Sequence, residues 1–254
     1  MQNSVAIATV TTNPYQLAID IFGIGFLTAD KIAVKVGVSP YSKFRYRAGV
    51  LHVLSKASED GHCYLPESEI IPFTKELLTT DEHQADEQAI AGILSEMVTE
   101  QQLVKEIDEE VLYYKPSFYH SEQHLAKLLK QKLETKPDVD IERVNRWINR
   151  FTAAKNITLS SRQVDAVVTA AIEKVSVLTG GPGTGKTFSV NTIVKLWKAM
   201  DKKLQAGAPT GRAAKRLTEV TGIEAKTLHR LLEFDPSKMG FKRDADNPLD
   251  CDAL

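Results

Sequence analysis

Eight consecutive residues, Gly180-Gly181-Pro182-Gly183-Thr184-Gly185-Lys186-Thr187, satisfy the pattern G-x-x-x-x-G-K-[ST] in full. Glycines let successive backbone N–H groups curl around an anion without Cβ clashes, and a helix starting there adds the positive end of its dipole. Lys186 is placed to reach the outer phosphates of a nucleotide and the Thr187 hydroxyl to ligate Mg²⁺. The flanks agree: an apolar strand is expected over 175–179, the loop over 180–185 and an apolar-faced helix over 186–200. The bland alternative, a glycine-rich turn that only joins strand to helix, does not account for all eight positions.

Two further segments flank this loop. Gln163, about twenty residues upstream, carries an amide able to pair with both the donor and the acceptor on an adenine edge. Downstream, an apolar strand at 204–208 runs into Ala208-Pro209-Thr210-Gly211-Arg212-Ala213-Ala214-Lys215-Arg216, a strand end followed by a hydroxyl, a glycine and three cations. In an open α/β sheet such a place suits a phosphate chain. The competing readings are a solvated Gln163, an ordinary basic helix face at Arg212, Lys215 and Arg216, and a His229 packed beside Leu228 and Leu232. His120 and His124 stand four apart with no third ligand, so a metal site there is not expected.

The elements that must position these residues fall into four expected blocks. Residues 1–43 read as helix, tight glycine hairpin and helix: 13–21, then Phe22-Gly23-Ile24-Gly25-Phe26, then a helix from Thr28, with Leu17, Ile21, Ile24, Ile32 and Val36 sharing an apolar side. Residues 44–118 read as helices near 45–60 and 67–78, a short strand at 63–65, a one-sided helix on Ile90, Ile93, Leu94, Met97 and Val98, and two strands at 103–107 and 111–114, a winged-helix-like module. Residues 119–158 hold two amphipathic helices, the first carrying Leu125, Leu128, Leu129 and Leu133, around the linker Thr135-Lys136-Pro137-Asp138. From 159 to 254 strand and helix alternate, the signature of a parallel α/β sheet.

The set Gln163, Gly180 to Thr187, Ala208 to Ala214 and Thr227-Leu228-His229-Arg230-Leu231-Leu232 resembles the start of the motor of a superfamily 1 DNA helicase of the RecD-like type. The segments Asn13-Pro14-Tyr15 to Ala33 and Asp60-Gly61-His62-Cys63-Tyr64-Leu65-Pro66 resemble the region before the motor in free-standing RecD-like helicases. The resemblance implies an α/β fold in which the N-terminal part of a RecA-like ATPase domain is preceded by mainly α helix-hairpin-helix and winged-helix-like modules. It implies ATP and Mg²⁺ as cofactors, 5′ to 3′ movement on DNA and a role in DNA repair or recombination. It gives Gln163 the adenine-reading role, Lys186 and Thr187 the phosphate and Mg²⁺ roles, and puts Thr210, Arg212, Thr227 and His229 on the single-strand track, with Lys215 beside them. Gly23, Gly25 and Lys31 of the hairpin then suit nonspecific contacts to a DNA backbone, helped by Lys35 and Lys43, unless the hairpin only packs.

Charge sorts the possible DNA surfaces. Residues 1–120 and 121–254 stand at −8 and +7, nearly cancelling to the net −1, and the stretch 59–110 alone holds 15 acidic against 2 basic residues. A polyanion is repelled from that stretch, so the wing is expected to brace the motor or meet a protein partner rather than DNA. Two distant cysteines, no apolar run of membrane-spanning length and no leader-like start point to the cytoplasm and to no membrane contact. The family also needs an apolar strand ending in Asp-Glu and clamp arginines; neither follows Thr187, and 247–254 reads as the approach to such a strand. The expectation is a piece of a helicase that binds nucleotide and DNA without hydrolysing ATP. A P-loop ATPase of another class and a non-catalytic DNA adaptor with a relic loop remain alternatives.

Overall fold

The computed structural model describes residues 11–21 and 23–254; Phe22 of the expected hairpin and the start of the chain lie outside them. The chain divides into two compact units, Met1–Lys127 and Leu128–Leu254.

The first unit opens with α1 (Gln16–Asp20) and α2 (Phe26–Lys35), joined through Gly23, whose φ of +91° is open to glycine and strained for other residues. The helix expected over 13–21 is thus shorter, starting after the Asn13–Tyr15 turn. Its expected apolar side holds in part: Leu17, Ile24 and Ile32 are half-buried, Ile24 against the core, whereas Ile21 and Val36 are exposed and α2 buries Phe26, Ala29 and Ala33. Small alanines let the helix approach its neighbour closely, which large side chains at 32 and 36 would prevent.

Next come α3 (Lys43–Glu59), β1 (Tyr64–Pro66), α4 (Glu67–Leu78), α5 (Glu87–Thr99), β2 (Val104–Ile107) and β3 (Val111–Tyr114). Ser42 caps α3 and Asp86 caps α5, each accepting backbone N–H bonds from the first turn. The three strands form one antiparallel sheet in the order β1-β3-β2, with Tyr64 opposite Tyr114 and Val104 opposite the same residue. Three helices with a strand after the first and a closing hairpin make the winged-helix arrangement. Val50, Ile70, Ile90, Leu94 and Met97 are sealed in its core, each large apolar side chain contributing about 1.5–3 kcal/mol.

A polar latch joins the hairpin helices to this module. Asp30 of α2 accepts from Tyr15 Oη at 2.6 Å and from Arg45 Nε at 2.8 Å and Nη2 at 3.1 Å, while Arg45 Nη1 donates to the Leu78 carbonyl at 2.9 Å. Burial opposes ionisation of Asp30, but the Arg45 guanidinium and the Tyr15 hydroxyl outweigh it and hold the carboxyl below its usual range. The same surroundings push the Tyr15 hydroxyl up, burial first and Asp30 second.

Helix α6 (Pro116–Leu133) runs from the first unit into the second and buries none of its residues; Leu125, Leu128, Leu129 and Leu133 are exposed, so the expected apolar face is present but not packed. In the second unit, α7 (Ile141–Lys155), α8 (Ser161–Ile172) and α9 (Lys186–Ala199) pack through Val144, Ile148, Val167, Ala171 and Leu196. Trp197 Nε1 donates to the Ala170 carbonyl at 3.2 Å, tying α9 to α8. The unit continues with β4 (Ala206–Ala208), α10 (Gly211–Thr221), β5 (Ala225–Thr227), α11 (Leu228–Leu231), β6 (Phe234–Asp235) and β7 (Gly240–Phe241). Strands β4 and β5 pair in parallel across α10, as the alternating pattern predicts, and β6 and β7 form a small antiparallel hairpin that it does not.

One expected strand is absent. Residues 175–179 form no ladder, and Val177 is 83% exposed. An apolar run becomes a strand only when another strand takes its N–H and C=O groups, and among the described residues none lies beside it.

Candidate nucleotide site and DNA-facing surfaces

The glycine loop is shaped by three left-handed or near-extended glycines. Gly183 and Gly185 have φ of +76° and +80°, and Gly185 is the N-cap of α9. A Cβ on Gly180 would lie 2.8 Å from Thr184 Oγ1, and one on Gly185 would lie 2.5 Å from Gln163 Nε2. The loop is therefore closed to side chains from within and open to solvent on its outer side, where Gly180 to Thr184 are exposed. Thr184 Oγ1 donates to the Gly181 carbonyl at 2.9 Å, bracing the turn.

Lys186 does not extend away from the loop. Its Nζ donates to the carbonyl of Gly180 and, at 2.6 Å, to that of Gly181. Folded across its own loop, the ammonium is held by neutral carbonyls that a phosphate oxygen would outcompete. Thr187, in the first turn of α9, is exposed. No group of three His, Cys, Asp or Glu side chains suited to a metal occurs among the described residues, so a Mg²⁺ here would rest on Thr187 and on the phosphates themselves.

Gln163 lies beside the loop in space, its Nε2 close to Gly185. Ser160 caps α8 with a capping box: Gln163 N donates to Ser160 Oγ at 3.3 Å, and Ser160 N donates back to Gln163 Oε1 at 2.9 Å. The box fixes the amide and directs Nε2 against Gly185. Gln163 is half-buried, with its side-chain oxygen engaged in this cap.

The basic segment after β4 lies on α10. Thr210 is its N-cap and accepts from Ala213 N at 3.2 Å, so its hydroxyl has a structural task. Arg212 and Lys215 are exposed and form no ion pair among the described residues, whereas Arg216 meets Glu219 at 3.3 Å. Thr227 precedes α11 without a side-chain cap bond. His229 is exposed and meets two rings that also touch each other, its centroid 5.4 Å from Phe234 and 5.7 Å from Phe241. The aromatic trio was not read from the sequence; Asp235-Pro236-Ser237, a turn flanked by Phe234 and Phe241, was its signal.

At the hairpin, Gly25 is the N-cap of α2 with no neighbouring atom within 4 Å of where a Cβ would stand, and Gly23 is equally open. Lys31 is exposed and unpaired among the described residues, but Lys43 is tied to Glu96 at 2.6 Å and contributes little free charge.

Comparison with known sequences agrees with this geometry in both units. The profile of the ATP-dependent RecD2 DNA helicase HHH domain matches residues 2–64, and that of an AAA domain matches 163–254. The chain is 33% identical over 253 residues to the ATP-dependent RecD2 DNA helicase of Deinococcus radiodurans, covering 92% of this chain and 33% of that protein. RecBCD enzyme subunit RecD of Mycolicibacterium smegmatis is 37% identical over 90 residues, 26% of this chain and 16% of its own length, and that of Haemophilus influenzae 35% over 113, with 35% and 18% covered. The chain spans about a third or less of each of these relatives. With 33% identity to a RecD2 DNA helicase over 92% of the chain, a RecD2 HHH domain matched at 2–64 and an AAA domain at 163–254, the chain belongs to the RecD-like family of ATP-dependent DNA helicases.

Proposed function

We propose that these residues are the nucleotide-binding and DNA-holding parts of an ATP-dependent, 5′ to 3′ DNA helicase that serves recombination or repair in the cytoplasm. The observation that carries the reading is the meeting of Gln163 Nε2 with Gly185 at the mouth of the glycine loop, since a cap amide aimed at a phosphate cradle has an evident use in orienting a base. Backbone N–H groups of 180–187 take the phosphates, Lys186 swings from the carbonyls of Gly180 and Gly181 onto the outer phosphates, and Thr187 holds Mg²⁺. Mg²⁺, when bound, neutralises phosphate charge. Gln163 Oε1 keeps its capping bond and leaves Nε2 to donate to the adenine edge.

In this reading Arg212 and Lys215 of α10 take single-stranded phosphates, Thr210, Thr227 and His229 lie along the same path, and Gly23, Gly25 and Lys31 meet a DNA backbone. The domain limits are those of the sequence reading, 1–43, 44–118, 119–158 and 159–254. The acidic module faces protein rather than DNA. Within 188–254 no apolar run precedes an Asp-Glu pair, so this chain binds ATP weakly and turns it over slowly.

Titration with labelled ATP and Mg²⁺ tests the cradle: Lys186→Ala should abolish binding, and equal affinity in both proteins would sink the assignment. For DNA, neutralising three phosphates should give a log–log salt slope near roughly −2 on single strands. Arg212→Ala with Lys215→Ala should weaken binding and flatten that slope, while Lys105→Ala in the wing should change neither.

A further inference from the structure

We propose that the groove between α3 and α4 docks a basic, apolar-faced helix of a partner protein. The groove measures about 580 Å³ and lies wholly within the first unit. Its floor is apolar: Val53 of α3 and Leu65 of β1 are buried, and Ala57 and Leu77 are half-buried.

Helix α4 has two stripes. Ile70, Thr74 and Leu78 point into the core, while Glu69, Phe73, Glu76 and Leu77, spaced i, i+4, i+7 and i+8, line the groove. Phe73 is 47% exposed, a large ring left at the lip of an apolar trough. Around it stand Glu69, Glu76 and Asp60, exposed and without an ion pair among the described residues. Lys56, the lysine among the lining residues, is already held by Glu59 at 2.9 Å.

This combination selects the occupant. An apolar floor between two helices, with a protruding ring, takes the apolar side of a third helix. Unpaired carboxylates on the rim, in a stretch where acidic residues outnumber basic ones 15 to 2, favour lysines and arginines on that helix and repel nucleic acid and anionic lipid. The inference rests on the reading of the acidic module as protein-facing and adds the surface and the chemistry of what it meets.

The test uses the whole chain and a fluorescent 16-residue peptide with leucines at helical spacing and lysines elsewhere, beside a counterpart with glutamates in place of the lysines. Anisotropy should report binding of the lysine peptide only. Glu69→Lys with Glu76→Lys should weaken it at least about ten-fold, and Phe73→Ala by a similar factor as a central anchor. Asp108→Lys with Glu109→Lys, the same charge change at the tip of the wing, should leave affinity within about two-fold. Absence of binding, equal binding of the glutamate peptide, or equal loss in the wing-tip variant overturns the groove. Single-stranded DNA titrations separate the two levels: if the groove variant changes DNA affinity, the protein-facing reading of the module fails whatever the peptide does.

Discussion

The two units handle their polar groups in opposite ways. In the first, charges are spent inside the fold: Asp30 is shared by Tyr15 and Arg45, and Arg47 reaches Glu96 and Glu100. In the second, the cations with chemistry to offer hold only loose partners or none: Lys186 rests on carbonyls of its own loop, and Arg212 and Lys215 stand in solvent. Arg45 and Arg47 of the first unit are held by carboxylates, while the cations of the glycine loop and of α10 keep no carboxylate partner, which in the reading proposed above suits a polyanion. Stability should therefore be most sensitive to single residues in the first unit and binding most sensitive in the second.

The largest expected effect tests the scaffold. Asp30→Ala leaves the Arg45 guanidinium, 4% exposed, buried without a counter-charge, which should destabilise the first unit by about 3–5 kcal/mol. Urea unfolding would show it as an early transition. Nucleotide binding at 180–187 should persist at urea concentrations where the first unit has unfolded. If the loss is under about 1 kcal/mol, the latch is ornamental and the contrast between the units collapses.

A smaller stability effect with a larger functional one is expected at Gly185. Alanine there must adopt a φ of +80° and places Cβ 2.5 Å from Gln163 Nε2, so about 1–2 kcal/mol of strain is added and the amide is pushed aside. ATP affinity should fall more than about ten-fold while the first unit melts unchanged. Unaltered affinity would separate Gln163 from the cradle.

Much of this arrangement was legible because it is local. The glycine loop reads directly, since its residue types are dictated by backbone geometry at each position, and α3, α4 and α5 follow from the spacing of Val50 and Leu54, the 67–78 run, and Ile90 to Met97. What escaped depends on partners distant in sequence. The latch spaces Tyr15, Asp30 and Arg45 fifteen apart with no periodicity to betray it. The burial of Ala29 and Ala33 rather than Val36 follows from close helix approach, which no hydrophobicity pattern encodes. Residues 175–179 have strand-like composition, yet pairing is a property of two segments, not one. Gln163 was assigned by type and position, but its aim comes from a capping box that the Ser160 to Gln163 spacing already allowed.

The smallest effect concerns pH and the buried histidine of the first unit. His83, between α4 and α5, is 3% exposed, and neither ring nitrogen has a partner; the Tyr41 ring meets it edge to face at 4.2 Å. Burial first, and the Arg45 charge second, push its pKa below the usual 6.5, so the fold holds it neutral. A base with a folded pKa below its unfolded one contributes stability above the unfolded value, and that stability is lost as pH falls through 6.5 toward the folded value. His52, lowered by burial, adds in the same direction, whereas Asp30 loses its advantage only below the ordinary carboxylate value of 3.8, a separate window. Urea midpoints of the first unit followed from pH 7.5 down to 5 should fall, and His83→Phe, which removes the titrating ring while filling its space, should flatten the slope and leave the part due to His52. Equal slopes in wild type and variant would show that the buried ring does not sense pH.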